Sequence, residues 1–94
     1  MVRCVIDTAY TGFLLLPRLL AEELDLSPAG SAVLVLADGT RRRVPVFAAW
    51  VHWLPHRRLM LVDATDGPDA LIGAGMLFPH RLRIDYTAGM VEIS

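Results

Sequence analysis

The residues best placed to do chemistry are an acid and a hydroxyl that follow a short apolar strand near the start of the chain. Asp7 and Thr8 end that strand, and the small residue Ala9 comes next. An acid at the mouth of a buried strand is unfavourable unless its carboxylate is hydrogen-bonded or used. A second apolar segment ends on glycine at Leu71-Ile72-Gly73. One such acid in a chain of 94 residues indicates an active site that a second copy of the chain completes.

The composition favours one small domain, residues 1–94, with more apolar surface than it can bury alone. Hydrophobic residues make up 54% of the chain, and the mean hydropathy is +0.46. An apolar excess in a small domain often lies between subunits. The apolar runs fall short of the ~20 residues of a membrane span, and no signal segment opens the chain. We therefore expect a cytoplasmic protein without a membrane partner.

The charged and metal-binding residues exclude several function classes. The formal charge of −1 argues against a nucleic-acid binder. The only cluster of cations, Arg41-Arg42-Arg43, is conceivable as a phosphate site but is more typical of a solvated hairpin end. The single Cys4 cannot form an intrachain disulfide and is interpreted as a small buried hydrophobe. Three scattered histidines show no zinc-site spacing, so we expect no metal and no cofactor.

Apolar alternation and turn residues predict about eight short strands with one or two short helices. The strands are expected at 2–6, 13–16, 32–37, 43–53, 58–63, 70–72, 82–86 and 90–93. A helix is expected at 17–24, ended by Ser27-Pro28-Ala29-Gly30, and a helical turn at 73–78. Asp38-Gly39 predicts a hairpin turn, and Leu54-Pro55-His56 a break. No helix is long enough for a βαβ crossover, which favours a closed, mostly antiparallel β-barrel.

Five segments, in order along the chain, resemble the retropepsin-like aspartic proteases, in particular the small prokaryotic members with a D-T-G-F-type active loop. They are Asp7-Thr8-Ala9, Thr11-Gly12-Phe13, Ala37-Asp38-Gly39-Thr40, Leu71-Ile72-Gly73 and Leu82-Arg83-Ile84-Asp85-Tyr86. The late Leu-Ile-Gly at this spacing adds weight to the acid–Thr–small triplet. The family usually has glycine where this chain has Ala9. It also usually carries a further strand before the active one, so the resemblance implies that an N-terminal strand is missing.

The resemblance implies an aspartic endopeptidase with an all-β retropepsin-like barrel, completed as a homodimer that acts on a peptide or protein substrate. Asp7 of each subunit would meet on a two-fold axis, and Thr8 would hydrogen-bond across it. Ala9 would let backbone amides approach the carboxylates, which alanine can do only with a negative φ. Relatives pair terminal strands across the interface, so residues 90–93 are expected to contribute to the dimer.

The chemistry implied is peptide hydrolysis by two carboxylates that share one proton. One acts as general base toward the attacking water, and the protonated one donates toward the carbonyl oxygen. Two charges ~3 Å apart at an effective dielectric of ~20 repel by roughly 5 kcal/mol. At about 1.36 kcal/mol per pKa unit, the two apparent pKa values lie about four units apart. The pair therefore holds a single proton over a broad range of pH.

The same resemblance assigns substrate-binding roles to two further segments. The hairpin at Asp38-Gly39 would be the flap, a mobile cover over the cleft. Leu71-Ile72-Gly73 would pack beneath the active loop, with Gly73 allowing close backbone approach. An ordinary tight hairpin and a plain core strand ending in a turn stay open as alternatives for these two segments.

A simpler interpretation of the acids stays open as well. Asp7 would then be a turn residue that closes a strand, capped by Thr8, and the protein would be a catalytically weak or inactive retropepsin-fold module for dimerisation or peptide binding. Three other acids, Asp63, Asp66 and Asp69, are explained by turn formation and solvation. Asp85 alternates outward on its strand and is expected at the surface.

Overall fold

The computed structural model describes residues 2–35, 38–53 and 56–94. Within these ranges the chain is mainly β, and the predicted eight strands and two short helices are confirmed. The elements in chain order are β1 (Cys4–Asp7), β2 (Leu14–Pro17), α1 (Arg18–Glu23), β3 (Ser27–Val35), β4 (Arg41–Trp53), β5 (His56–Thr65), β6 (Ala70–Gly73), α2 (Ala74–Leu77), β7 (Leu82–Asp85) and β8 (Met90–Ile93).

The largest difference from the predicted elements is at the start of β3. Ser27-Pro28-Ala29-Gly30, expected to end the first helix, instead begins this strand, with a register shift against β4 between Pro28 and Ser31. An edge strand tolerates proline and glycine because one of its sides needs no partner. Residues 36–37 of the predicted strand, including Ala37 of the resemblance, lie outside the described residues, and so do residues 54–55 of the predicted break. His56, the last residue of that break, instead begins β5.

Both helices are short and serve as connections. Pro17 stands at the N-cap of α1 as the last residue of β2, just before the first helical turn in which it was expected. Its missing N–H would be unsatisfied at a helix start in any case. In the described part of the chain no helix is long and apolar enough to cross a membrane.

The main sheet has six strands in the order β1-β6-β2-β5-β4-β3. β6 lies between β1 and β2, parallel to β1 and antiparallel to β2. The connection between β1 and β2 must therefore pass over the end of β6. Beyond β2 the sheet continues through a parallel pair with β5 and then the antiparallel neighbours β4 and β3.

The prediction of a closed barrel is wrong for the described residues of the single chain, whereas the mostly antiparallel pairing is present. β1 and β3 form the two edges of the main sheet, and β7 and β8 pair only with each other. A sheet closes only when its edge strands pair. In the last hairpin β7 and β8 instead pair with each other, and two backbone hydrogen bonds between Arg81 and Ser94 continue this pairing beyond the strands. Strand number alone did not reveal which edges would meet.

The core is built around β2, β4 and β5, which carry most of the buried apolar side chains. Its centre is Val62, whose side chain is 0% exposed. The other members of the buried cluster are Leu14, Leu16, Ala49, Ala70 and Met76. Cys4 packs against this cluster, and burial raises the pKa of its thiol, which disfavours the reactive thiolate. Cys4 thus serves as a partly buried packing residue.

Candidate active site

Asp7 is the last residue of β1 and lies opposite Gly73 in the parallel register with β6. Its Oδ1 accepts a hydrogen bond from the Ala9 N–H at 3.0 Å. Its backbone carbonyl accepts one from the Tyr10 N–H at 3.2 Å. These bonds form an aspartate turn that directs the chain away from β1. Among the described residues the carboxylate makes no other hydrogen bond, so Oδ2 keeps its full accepting capacity.

The loop from 8 to 13 is anchored by its backbone to the end of β6 and the start of α2. Three backbone hydrogen bonds hold it, from Gly73 N–H to the Phe13 carbonyl (3.0 Å), from Ala74 N–H to the Tyr10 carbonyl (2.7 Å) and from Gly75 N–H to the Gly12 carbonyl (3.1 Å). The donors are three consecutive residues where a strand ends and a helix begins. Because these donors sit on a fixed element, the loop has a defined position over β6.

Gly73 is the point of closest approach between β6 and the loop. A Cβ atom there would lie 2.2 Å from the Gly12 carbonyl oxygen and 2.6 Å from Cδ2 of Tyr10. Both distances are shorter than carbon atoms tolerate, so no other residue fits without moving the loop. The close backbone approach expected at Gly73 is present, with Leu71 and Ile72 leading to it in register with β1.

Thr8 and Ala9 occupy the exposed outer turn of the loop. Within the described ranges, the Thr8 hydroxyl has no hydrogen-bond partner. Asp25, with φ of 53°, is the one described non-glycine residue with a positive φ, so Ala9 meets the backbone condition stated for it. Alanine therefore fits this position without backbone strain, and a glycine is not required there.

A pair of side chains that the sequence interpretation missed lies under this loop. The Tyr10 hydroxyl donates to Oδ2 of Asp63 at 2.5 Å, and the Leu14 carbonyl is a weaker acceptor at 3.5 Å. Burial, followed by the hydrogen bond and the negative charge of Asp63, raises the pKa of the Tyr10 hydroxyl. Asp63 was predicted as the last residue of a strand and explained by turn formation and solvation. That explanation is wrong, because β5 continues past it to Thr65 and its half-buried carboxylate accepts from Tyr10. The available signal was its position between the apolar residues Val62 and Ala64.

The predicted hairpin at Asp38-Gly39 joins β3 to β4, which pair antiparallel from Val35 and Arg41 onward. Asp38 Oδ1 accepts from the N–H of Thr40 at 2.9 Å and from its hydroxyl at 2.7 Å. The hydroxyl bond, reinforced by the backbone bond, lowers the pKa of Asp38. Gly39 has φ of 85° and is exposed. No hydrogen bond in the described part of the chain joins this tip to the Asp7 loop.

An apolar cavity of about 430 Å³ adjoins the buried cluster of the core. It is lined mainly by aliphatic and aromatic side chains of β2, β4, α2 and the segment after α1, among them Leu16, Leu26, Val51, Trp53 and Met76. Asp7 does not line it. The candidate acid thus sits at the loop end of the sheet and not in this apolar cavity.

Comparisons of the chain with protein-family models, with curated proteins and with solved structures found no match. Its relation to any family therefore rests on the motifs in its sequence. The described residues contain no group of three or more histidine, cysteine, aspartate or glutamate side chains that could hold a metal ion.

Proposed function

We propose that the chain is an aspartic endopeptidase of the retropepsin-like kind that its motifs resemble, with a catalytic dyad made from Asp7 of two subunits. The observation that carries the proposal is the anchored loop over Gly73. A carboxylate is held at the end of β1 by one turn hydrogen bond and keeps one oxygen free. A fixed carboxylate with free acceptor capacity is what a general base needs.

The dyad would work as a proton-sharing pair. With the two Asp7 side chains about 3 Å apart, repulsion of roughly 5 kcal/mol keeps one of them protonated. The ionised carboxylate takes a proton from water as the water attacks the peptide carbonyl, and the protonated one donates toward the carbonyl oxygen. In this arrangement the Ala9 amide orients the carboxylate, and Thr8 is free to bond across the two-fold axis.

The substrate would lie between the β3–β4 hairpin and the loop end of the main sheet. Asp38 and Gly39 would form the tip of the covering flap, and Leu71-Ile72-Gly73 the floor. The exposure of the tip supports a covering role, since a lid has to move freely over its cleft. The packing of β6 beneath the loop supports its role as floor.

Homodimer formation is supported by the last hairpin. A two-stranded hairpin is marginal in water without a further strand or layer. β7 and β8 pair only with each other among the described strands. They also leave apolar side chains in solvent, with Ile84 48% and Val91 55% exposed. A second subunit would supply the missing cover, as expected for residues 90–93.

The dimer is tested by sedimentation equilibrium from low to high micromolar concentration. We expect a dimer for the parent chain and a shift toward monomer for Val91→Glu. The matched control is Val33→Glu on β3, where the valine is 47% exposed and the same charge is introduced. A parent chain that stays monomeric at the highest concentration would contradict both the dimer and the shared dyad.

Catalysis is tested by incubating the purified chain with a peptide library between pH 4 and 7. The parent is expected to cleave and Asp7→Asn to be inactive, because asparagine cannot take a proton from water. Asp25→Asn is the matched control, since asparagine also suits the left-handed backbone at that exposed position. It should cleave like the parent.

The alternative function is a non-enzymatic dimerisation or peptide-binding module. It is favoured by the bond from Ala9 to Asp7, which a purely structural turn aspartate would also make. Asparagine suits such turns as well as aspartate does, so this alternative predicts that Asp7→Asn changes nothing. A parent chain that dimerises but cleaves no peptide at any pH would support the module and contradict the endopeptidase.

A further inference from the structure

Tyr10 makes more hydrogen bonds than any other residue of the loop between β1 and β2. Its N–H donates to the Asp7 carbonyl at 3.2 Å, and its own carbonyl accepts from Ala74 at 2.7 Å. Its hydroxyl donates to Asp63 at 2.5 Å. Backbone and side chain together thus connect the candidate catalytic residue to β5 in the interior of the main sheet.

Asp63 is a rigid anchor because of its place in β5. It is paired on one side with Leu15 of β2 and on the other with Val46 of β4. Its chain neighbours Val62 and Ala64 are both 0% exposed. Closely packed strands of this kind move less than the loops attached to them. A bond from the loop to Asp63 therefore transfers that rigidity to the loop.

We propose that the Tyr10–Asp63 hydrogen bond is a latch that positions the Asp7 carboxylate, which makes Tyr10 a positioning residue for hydrolysis. Its catalytic consequence rests on the proposed function. Asp7 and Tyr10 are separated by only two residues and joined by a backbone hydrogen bond, so a shift of the tyrosine ring moves the carboxylate. Misplacement of a reacting group by about 1 Å can lower a rate a hundredfold.

The latch requires a protonated phenol, and its surroundings maintain one. Burial and the adjacent carboxylate of Asp63 both favour the neutral hydroxyl over the phenolate. The Tyr10 hydroxyl therefore keeps the proton that it donates over the pH range of 4 to 7 used in the cleavage assay. The pH profile of cleavage should accordingly keep the same shape when the latch is removed, while its height falls.

The first test compares Tyr10→Phe with Tyr86→Phe, the same loss of a hydroxyl at a side chain that is 89% exposed. We expect kcat to fall by about tenfold or more in Tyr10→Phe with KM nearly unchanged. Tyr86→Phe should match the parent. Asp63→Asn keeps an acceptor oxygen for the phenol and should retain more activity than Tyr10→Phe. An unchanged kcat in Tyr10→Phe would overturn the inference.

The second test does not depend on activity and uses amide hydrogen exchange of the same variants. In Tyr10→Phe the backbone amides at positions 9 and 10 should exchange faster than in the parent, while those of β4 and β5 stay protected. Unchanged loop exchange, or faster exchange throughout the sheet, would overturn the latch. If the parent cleaves nothing, the proposed function fails, and loop-specific exchange still decides whether the latch holds the loop. Should Tyr10→Phe not fold, Asp63→Asn and Asp63→Ala are compared in its place.

Discussion

Two aspartates in this chain end a strand in nearly the same way, yet their surroundings differ. Asp7 ends β1 and accepts from the N–H two residues ahead at 3.0 Å. Asp85 ends β7 and accepts from the Thr87 N–H at 3.1 Å. Asp85 Oδ1 accepts two further bonds, from the Thr87 hydroxyl at 2.7 Å and the Ala88 N–H at 3.1 Å. Among the described residues, Oδ1 of Asp85 thus accepts three hydrogen bonds from its own turn, whereas Oδ1 of Asp7 accepts one.

The two loops also differ in how they are bonded to the rest of the fold. The Asp7 loop is bonded to β6, to α2 and, through Tyr10, to β5. The Asp85 turn closes a hairpin whose one ion pair among the described residues, Arg83 with Glu92 at 3.6 Å, is exposed and contributes little. An aspartate turn by itself therefore does not mark a site. Tertiary anchoring of the loop does distinguish the two, whereas a free Oδ2 does not, because neither carboxylate accepts a hydrogen bond at Oδ2 among the described residues.

The largest effect expected from this comparison is on peptide cleavage. Asp7→Asn should lower kcat at least a hundredfold, the lower end of what general acid–base groups contribute. Its melting temperature should stay the same or rise slightly, because like-charge repulsion within the dimer is removed. Asp85→Asn should cleave normally. Measured kcat and thermal melting of the three proteins check this, and cleavage by Asp7→Asn would remove Asp7 from the mechanism.

The next largest effect concerns stability at a glycine in each region. Gly73→Ala places a methyl group 2.2 Å from the Gly12 carbonyl, and we expect unfolding free energy to drop by about 3 kcal/mol or more. In Gly89→Ala the new Cβ meets no atom within 4 Å, so the only cost is the φ of 66°. We expect the unfolding free energy to drop by about 1 kcal/mol. Denaturant unfolding measures both. Equal losses would mean that the loop moves aside more easily than its three backbone bonds suggest.

A smaller effect is expected at the hairpin tip, which is a third turn of this chain. Gly39→Val puts a β-branched residue at φ of 85° with no neighbour within 4 Å of its Cβ. The loss of stability should be about 1–2 kcal/mol. If this tip is the flap, turnover should suffer more than the fold does. Peptide cleavage as fast as the parent's, together with lowered stability, would contradict the flap.

The smallest expected effect is on the melting temperature at low pH. The hydroxyl of Thr87, followed by the backbone N–H of Ala88, lowers the pKa of Asp85. A carboxyl whose folded pKa is depressed stabilises the fold fully above its unfolded value of about 3.9. That contribution is lost as pH falls through the folded value. Asp85→Asn should therefore show a weaker loss of melting temperature between pH 5 and 2 than the parent, and an identical slope would contradict this.

The sequence predicted most elements because local patterns decide them. β8 was placed at its observed bounds and β6 within one residue, since alternation and turn residues act over a few positions. The start of β3 was missed because Ser27-Pro28-Ala29-Gly30 carries turn residues that an edge strand tolerates. The closed barrel was wrong because pairing between distant edges is a property of the whole sheet.

The candidate site divides in the same way. The acid at the end of β1 and the turn at Gly39 were predicted from residue type, because both have local reasons, whereas the close approach at Gly73 was predicted from the resemblance. Tyr10 and Asp63 were missed because 53 positions separate them, and nothing near either residue indicates its partner. Such a pair becomes visible only when β2 and β5 lie side by side.

By itself, therefore, the sequence determined the strands, the turns and the acid that ends β1. These depend on backbone preference and on apolar periodicity, which act between near neighbours. Only the tertiary structure decided that β6 lies between β1 and β2, that Tyr10 bonds to Asp63, and that the Asp85 turn stays apart. The physical reason is that hydrogen bonds between distant strands and close packing against a glycine form only when the whole sheet has assembled.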